Sequence, residues 1–444
     1  MHLKNLRVIY KSMKQNNFSI LEFRSIYSKK DNSIMGLDLN YNLVVSKKIF
    51  DEIKEFVLKN NEQTIFLKPT YKSGMGEVLQ AQNYVGVIQT KIGTTIEILP
   101  KISNLKEDKS KEILVRMLKT LKKSPFKNFN AAHLKSDKMP LLEIFITMFL
   151  EELSKLIQKG LKSDYITKEE NLKYLKGKLK INEQIKRNYI HKERFFVEYQ
   201  EFLSDRVENR LIKTTLEFLY KKSKSNRNQQ RIREFLFVFD EISSCKDIKI
   251  GFSKVRLDRQ MKDYEQVLRW CRIFLLENSF SPYKGKDIAF ALLFDMNLLF
   301  ESYVGYYLKQ KGLDVCLQDK GKYLIEEPNK FALKPDIVIN KNKANEMIAD
   351  TKWKILSEDK THQGVSQNDM YQLYAYGTKY ENCKDMFLIY PLDKIDKDQG
   401  KHYHYFKNKT CESNEGLNLK ILFFDLTEDC QDDKFHNSFH VTNK

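Results

Sequence analysis

The segment that most constrains the fold of this 444-residue chain is a pair of short apolar runs, each with an acidic residue near one end. The first run reads Lys334-Pro335-Asp336-Ile337-Val338-Ile339, and the second reads Glu346-Met347-Ile348-Ala349-Asp350-Thr351-Lys352. Both runs are typical of β-strands, and the polar Asn/Lys connector 340–345 between them is typical of a turn. We therefore predict an antiparallel β-hairpin.

This hairpin would gather three charged side chains at one end. Residues i and i+2 of a strand share a face of the sheet, so Asp350 and Lys352 are expected to project together. Asp336 begins the first strand, and antiparallel pairing brings it beside the end of the second strand, near Asp350. The sequence thus predicts two carboxylates and one ammonium at a single point.

Such a grouping is suited to the hydrolysis of a phosphodiester bond. Two carboxylates are the hard oxygen ligands that Mg²⁺ prefers, and the carbonyl of Thr351 is a third candidate ligand. Lys352 is placed to hold the attacking water or to help deprotonate it, and to offset the negative charge of the transition state. We predict a Mg²⁺-dependent DNA endonuclease whose catalytic residues include Asp336, Asp350 and Lys352.

The spacing of these charges is weak evidence by itself. With 59 acidic and 77 basic residues, an acid-x-base triplet arises by chance about ten times, and it usually marks a solvated strand. A Pro-Asp pair before an apolar run, followed by a gap of hairpin length, is far rarer. The apolar neighbours of the charges are also unusual for an exposed strand, because a buried carboxylate needs a partner or a metal. These features favour a catalytic role.

The remaining sequence divides into three regions. The first hundred residues are mainly β-prone, with apolar runs at 84–88 and 94–99 flanking a predicted turn. Helical periodicity follows at 142–156, 205–241, 257–276 and 288–310, with a break at Ser281-Pro282-Tyr283. We predict a multidomain α+β protein with a β-rich region at 1–115, a mainly helical region at 116–280 and a mixed α/β region at 281–444.

Charge and cysteine usage limit the possible partners and location. The net charge of +18 favours a polyanionic partner, although a general bias towards lysine accounts for part of it. The lysine-rich stretch 101–127 would contact DNA or a partner, or form a solvated helical face. The six cysteines include no C-x-x-C pair, which argues against zinc ribbons and a disulfide framework. We expect a cytoplasmic protein without a membrane partner, since residues 1–7 lack the apolar core of a secretory signal.

Two further patterns are informative. No G-x-x-x-x-G-K-[S/T] loop occurs, so this chain is not expected to hydrolyse nucleotides. His402-Tyr403-His404 is more simply a strand with two exposed imidazoles than a metal site, because no carboxylate or cysteine stands at ligand spacing.

Segment 335–352 resembles the P-D…(D/E)-x-K motif of restriction-type nucleases. More narrowly, the chain resembles McrC, the nuclease subunit of McrBC-type modification-dependent restriction systems. In that family an upstream helix carries a glutamate in a context similar to 297–304, which points to Glu301, and a Q-x-x-x-Y helix follows the motif, matched by Gln372 and Tyr376. The resemblance extends from about residue 80 to 390 and includes the segments 84–87, 96–101, 175–178 and 205–210.

The resemblance implies several properties. It implies a restriction-endonuclease-like core in 281–444, with Glu301 as a further catalytic residue and Gln372 and Tyr376 as auxiliary residues. It also implies a separate McrB-like AAA+ GTPase hexamer, engaged and stimulated by residues 1–280. The motor subunit would recognise modified cytosine in double-stranded DNA, which is cut after translocation.

Alternatives remain open on the residues alone. Glu301 would otherwise be a helix-surface carboxylate, and a tyrosine such as Tyr376 is often partly buried core. The chain would otherwise be a stand-alone repair or mobile-element nuclease with the same core, which would cut DNA without a GTPase. A non-catalytic activator of an AAA+ ring is the other alternative, and the intact Asp336, Asp350 and Lys352 argue against it.

Overall fold

In the computed structural model, the residues described are 17–28, 36–60, 65–90, 93–102, 107–121, 125–128, 139–276, 290–357, 360–392, 402–406, 416–427, 435 and 437–439. The chain forms two compact units, one made of Met1–Lys138 with Lys284–Lys444 and the other of Met139–Tyr283. The first and last thirds of the sequence therefore belong to one structural unit. The predicted division of roles among 1–115, 116–280 and 281–444 stays a prediction.

The predicted α+β class is confirmed, since both units combine helices with sheets. The N-terminal part of the first unit is mainly β, as expected. Its elements are β1 (Asn17–Leu21), β2 (Ser25–Ser28), β3 (Gly36–Leu37), β4 (Leu43–Val45), α1 (Lys47–Asn60), β5 (Leu67–Lys72), β6 (Gly76–Ala81), β7 (Tyr84–Gln89), β8 (Thr95–Leu99), α2 (Glu107–Leu118) and a 3₁₀ turn at Pro125–Asn128. The expected pair of strands around residue 90 is β7 and β8, which are antiparallel.

The second unit contains the predicted helical regions at 205–241 and 257–276. Its elements are α3 (Leu141–Gln158), β9 (Asp164–Leu172), β10 (Lys178–Leu179), α4 (Ile181–Asn188), β11 (Phe195–Leu203), α5 (Val207–Lys222), α6 (Asn226–Val238), α7 (Ile248–Lys254), a 3₁₀ turn at Arg259–Met261 and α8 (Tyr264–Leu275). The three-stranded sheet β10-β11-β9 was not predicted.

The C-terminal part of the first unit holds the predicted hairpin. Its elements are β12 (Phe290–Asp295), α9 (Met296–Gln310), β13 (Val315–Leu317), β14 (Lys322–Ile325), β15 (Lys330–Leu333), β16 (Ile337–Ile339), β17 (Met347–Thr351), a 3₁₀ turn at Thr361–Gly364, α10 (Gln367–Lys379), β18 (Asp385–Pro391), β19 (His402–Phe406) and β20 (Gly416–Phe424). The expected break at 281–283 lies outside the described residues.

The helix predicted from about residue 288 was wrong at its start, because 290–295 is strand β12 and the helix begins at Met296. Asp295 caps this helix, accepting a hydrogen bond from the backbone N–H of Asn297 at 2.8 Å. Strand β12 pairs antiparallel with β7 and completes the four-stranded sheet β1-β8-β7-β12. At Gly86, φ is +140°, and an added Cβ would lie 2.0 Å from the Leu292 carbonyl oxygen. The two strands therefore pair closely because this position is glycine.

The hairpin lies inside a six-stranded mixed sheet in the order β13-β16-β17-β18-β20-β19. Strands β13, β16 and β17 are antiparallel, whereas β17, β18 and β20 are parallel. Helices α9 and α10 both contact β17. Every residue of β16 and β17 is buried, which explains their apolar composition. Within the described part of the chain, we find no helix with the length and apolarity needed to cross a membrane.

Candidate active site

The hairpin register brings the predicted charges together. Ile337 pairs with Ala349, so Asp336 lies opposite Asp350 at the open end of β16 and β17. The connector turns back through Asn340 and Asn342, whose φ values of 53° and 62° are tolerated by asparagine. The local sequence thus determines both the turn and the meeting of the two carboxylates.

Asp336 is held in one orientation by the strand opposite. Its Oδ2 accepts hydrogen bonds from the backbone N–H of Thr351 at 2.8 Å and from the Thr351 hydroxyl at 2.9 Å. Its own carbonyl accepts from the backbone N–H of Gln318 at 2.8 Å. Burial raises the pKa of Asp336, while the two Thr351 hydrogen bonds oppose this shift.

Asp350 is a buried carboxylate beside a lysine. Asp350 is 1% exposed, and its Oδ2 lies 2.5 Å from Nζ of Lys352. This contact is an ion pair by distance, although Oδ2 has no partner with hydrogen-bond geometry among the described residues. Burial first, and then the charge of Asp336, raise the pKa of Asp350 to about 7. The carboxylate thus occupies an environment that disfavours its charged form even beside the Lys352 ammonium.

Lys352 is surrounded by three acceptors. Besides Asp350, its Nζ lies 3.7 Å from Oδ1 of Asp369 and donates to Oε1 of Gln372 at 3.1 Å. Burial alone would lower the pKa of this ammonium, but Asp350 and Asp369 raise it above its ordinary value. Lys352 therefore stays protonated at neutral pH, which favours a role in stabilising charge or holding water over a role as a base.

Glu301 lies on α9 and is 7% exposed, so it is not a helix-surface carboxylate. Its Oε2 accepts a hydrogen bond from Nε2 of Gln318 at 3.0 Å. Burial, followed by the charge of Asp336, raises the pKa of Glu301 to about 7. The electrostatic effects of Asp336 and Asp350 on this group indicate that the three carboxylates share one site.

Gln372 and Tyr376 lie on one face of α10, as their spacing predicts. Nε2 of Gln372 donates to the Tyr376 hydroxyl at 2.6 Å, and that hydroxyl donates to the carbonyl of Lys334 at 3.1 Å. Because Oε1 of Gln372 accepts from Lys352, a continuous chain of hydrogen bonds joins the lysine to the backbone beside Asp336. Their contribution to activity stays a prediction.

Sequence reasoning missed three residues of this site: Asp369, Gln318 and Trp353. Asp369 precedes Gln372 by three positions in the first turn of α10, so a shared helix face was a signal that could have found it. Gln318 follows the short strand β13 with a φ of 50°, and nothing in the local sequence marks it. Trp353 follows Lys352 directly and packs against Phe300, with ring centroids 5.4 Å apart.

The donor set is compatible with Mg²⁺, which needs few protein ligands. Among the described residues, no group of three or more His, Cys, Asp or Glu side chains is arranged to hold a metal ion. The site offers two adjacent carboxylates, Asp336 and Asp350, and Oδ2 of Asp350 is buried without a partner of hydrogen-bond geometry among the described residues. Magnesium is usually held by one or two carboxylates and retains several waters. Residues 402–406 form strand β19, as expected for the His-Tyr-His segment.

Fold and site together define an α+β protein with a buried acidic site and a lysine at the end of a central hairpin. A family model described as McrBC 5-methylcytosine restriction system component matches residues 79–391. This match covers well over half of the sequence, and the chain belongs to that family. The family predicted from the motifs is therefore confirmed.

The chain also matches solved structures from Thermococcus gammatolerans. One is the refined half-complex from a tetradecameric assembly of McrB AAA+ hexamers with bound McrC, with a TM-score of 0.67 and 19% identity, covering 95% of this chain and 99% of that chain. Another is a cryo-EM structure of the McrBC complex, with a TM-score of 0.47 and 20% identity, covering 67% of this chain and 88% of that chain. No curated protein matches the sequence. At 19% identity, the similarity to the half-complex shows a shared fold and nothing more specific.

Proposed function

We propose that this chain is the endonuclease subunit of its restriction system and that it hydrolyses DNA phosphodiester bonds with Mg²⁺. The observation that carries the proposal is the meeting of Asp336, Asp350 and Lys352 at the end of one buried hairpin. The mixed sheet, with its antiparallel hairpin followed by parallel strands and with α9 and α10 packed against β17, supports a PD-(D/E)XK nuclease core.

Asp336, Asp350 and the Thr351 carbonyl would hold the Mg²⁺ ion. When bound, the ion would polarise a phosphate oxygen and lower the pKa of a water molecule. Thr351 fixes the direction of the Asp336 carboxylate through two hydrogen bonds, so that this ligand is preorganised. Glu301 uses Oε2 for its contact with Gln318, and its carboxylate is placed to orient a water or to add a contact to the ion.

Lys352 stabilises the negative charge that develops on the phosphate in the transition state. Three acceptors hold its ammonium in place. Losing one electrostatic contact with the transition state typically lowers the reaction rate by about 10²–10³-fold. Gln372 and Tyr376 act through the lysine rather than on the substrate, because their hydrogen bonds run from Nζ to the Lys334 carbonyl. They are positioning residues.

A cluster of lysines beside the site supports DNA as the substrate. Lys354 and Lys360 are close enough to Lys101 to repel its positive charge. Burial first, and then Lys360 and Lys354, lower the pKa of Lys101, against the opposing effect of Glu22. A local excess of positive charge of this kind attracts the phosphate backbone without reading sequence. The net charge of +18 acts in the same direction.

The proposed partner is an McrB-like AAA+ GTPase hexamer, whose GTP hydrolysis this chain stimulates. Family membership and the fold shared with McrC bound to McrB hexamers support it. The proposed substrate is double-stranded DNA carrying modified cytosine, recognised by the motor.

The test reconstitutes the two chains and follows the cutting of a methylated plasmid and phosphate release in parallel. We expect cutting that requires both chains, GTP, Mg²⁺ and cytosine modification. Cutting by this chain alone would identify a stand-alone nuclease instead. Stimulation of the GTPase without any cutting, on methylated DNA and over a range of Mg²⁺ concentrations, would identify a non-catalytic activator.

A further inference from the structure

The indole of Trp353 connects the candidate active site to the N-terminal sheet. Its Nε1–H donates a hydrogen bond of 2.9 Å to Oε2 of Glu22, a residue 331 positions away. Both side chains are buried, with Trp353 4% and Glu22 2% exposed. Trp353 directly follows Lys352, so this contact fixes the chain immediately beyond the lysine.

The parallel pairing of β1 with β8 in the N-terminal sheet positions Glu22 beside Trp353. Leu21 pairs with Leu99, so β1 and β8 end at the same edge of the sheet. The backbone N–H of Glu22 donates to the Leu99 carbonyl at 3.0 Å, and the backbone N–H of Lys101 donates to Oε2 of Glu22 at 3.1 Å. Nζ of Lys101 also lies 3.5 Å from the carbonyl oxygen of Trp353. The residues that follow β1 and β8, Glu22 and Lys101, thus both contact Trp353.

The indole also contacts the helix that carries Glu301. The rings of Trp353 and Phe300 have centroids 5.4 Å apart and are tilted by 59°. Since Phe300 precedes Glu301, the indole lies between the segments that hold a carboxylate and the lysine of the candidate site. A shift of Trp353 would therefore displace both.

Stability alone does not account for a carboxyl group at this position. Oε1 of Glu22 is buried without a hydrogen-bond partner among the described residues, and burial raises the pKa of Glu22 to about 7. A buried cluster of charged groups is often no more stable than well-packed apolar side chains of similar volume in its place. What Glu22 does supply is an acceptor of fixed direction for the indole N–H and the Lys101 N–H.

We propose that Glu22 is a positioning residue for Lys352, acting through the hydrogen bond to Trp353. This inference rests on the proposed nuclease function of the same site. It makes the N-terminal sheet part of the nuclease, in contrast to a sheet that serves only to dock a partner.

The test compares variants of Glu22 with a matched buried glutamate on the same sheet. Glu22→Leu removes the acceptor, Glu22→Gln keeps an oxygen in its place, and Trp353→Phe removes the donor. Glu97 is the control, because it is also 2% exposed but is paired with Lys111 at 2.7 Å. All variants are made in the full chain with its partner, and kcat and KM for DNA cutting are measured beside thermal unfolding and GTPase stimulation.

We expect Glu22→Leu and Trp353→Phe each to lower kcat by about 10–100-fold with KM unchanged, since a misplacement of about 1 Å costs rate on this scale. Glu22→Gln should restore most of the rate. The double variant Glu22→Leu/Trp353→Phe should lose no more than either single variant, as a shared contact requires. Glu97→Leu should lose stability but keep the cutting rate of the folded protein.

A measurement of tryptophan fluorescence tests the contact independently of activity. Trp270 is the other tryptophan of the chain, so Trp270→Phe leaves Trp353 as the sole indole emitter. In that background, Glu22→Leu should shift the emission and increase quenching by acrylamide, whereas Glu97→Leu should not. If the wild type never cuts DNA, the nuclease proposal fails while this measurement still tests the contact. Unchanged kcat in folded Glu22→Leu, or an equal loss in Glu97→Leu at the same stability, would overturn the positioning role.

Discussion

Asp350→Asn is expected to abolish cutting and yet to stabilise the metal-free protein. The wild-type carboxyl is 1% exposed, and its pKa is raised from 3.8 to about 7 by burial and by Asp336. A group whose pKa is raised by folding contributes stability that is present at low pH and is lost as pH rises through the folded value. At pH 8 the metal-free wild type therefore carries a penalty that asparagine lacks.

The size of this penalty follows from the shift. About three pKa units correspond to about 4 kcal/mol, and this shift already contains the opposing attraction of Lys352. Because burying the asparagine amide also costs free energy, we expect a net gain of about 2–4 kcal/mol in the free energy of unfolding. Cutting should fall by about 10²–10³-fold or more, because the variant removes a charge that Mg²⁺ needs. GTPase stimulation should be unchanged.

Asp319→Asn is the matched control for this prediction. Asp319 is also a buried aspartate of the same unit, with Nζ of Lys341 at 2.5 Å and the Tyr380 hydroxyl at 2.9 Å. Burial acts to raise its pKa, but these two partners bring it below its ordinary value. The same substitution should therefore destabilise the protein.

The assay is urea unfolding at pH 8 with a chelator, repeated with saturating Mg²⁺. The ion should stabilise the wild type and leave Asp350→Asn almost unaffected. If Asp350→Asn instead loses stability as Asp319→Asn does, the attraction between Asp350 and Lys352 is stronger than the combined cost of burying Asp350 and of its repulsion by Asp336. The reasoning that this site requires a cation would then be refuted.

Four other outcomes are expected. Lys352→Ala should lower cutting by about 10²–10³-fold while GTPase stimulation stays normal; equal loss of both in a folded variant would assign the hairpin to the partner interface. The purified chain should release no phosphate from GTP or ATP, and turnover that survives further purification would contradict this. Between pH 4.5 and 7 the wild type should lose up to about 3 kcal/mol of unfolding free energy that Glu22→Gln retains, because burial raises the pKa of Glu22 to about 7; parallel pH curves would count against it. Lys360→Ala should lower the slope of log K for DNA binding against log salt by about 1, and an unchanged slope would exclude it from the phosphate contacts.

The hairpin and its three charges are predictable from sequence because they depend on local rules. Strand alternation and antiparallel register bring Asp336 and Asp350 together across a single hairpin, with only 13 residues between them. Gln372 and Tyr376 were identified through the family resemblance, and their spacing of four residues correctly predicted that they share one helix face. In each case the partners are close in sequence.

The contacts that support the site were not predictable, because they join distant segments. Glu22 meets Trp353 only after β1 has paired in parallel with β8, and no local pattern specifies that pairing. Strand β12 was mistaken for helix because its apolar run continues without a polar break into α9. Asp295 was the available signal, as a helix cap at the boundary.

The place of β12 in the N-terminal sheet has a consequence for synthesis of the chain. Residues 139–283 form a unit of their own and are translated between β7 and its partner strand β12. At about 5–20 residues per second, a ribosome needs about 7–30 seconds to make this insert. During that interval the edge of β7 is unpaired, and such an edge can pair with other chains. The nascent protein therefore holds an incomplete nuclease until the insert has emerged, and chaperone protection would matter most in that window.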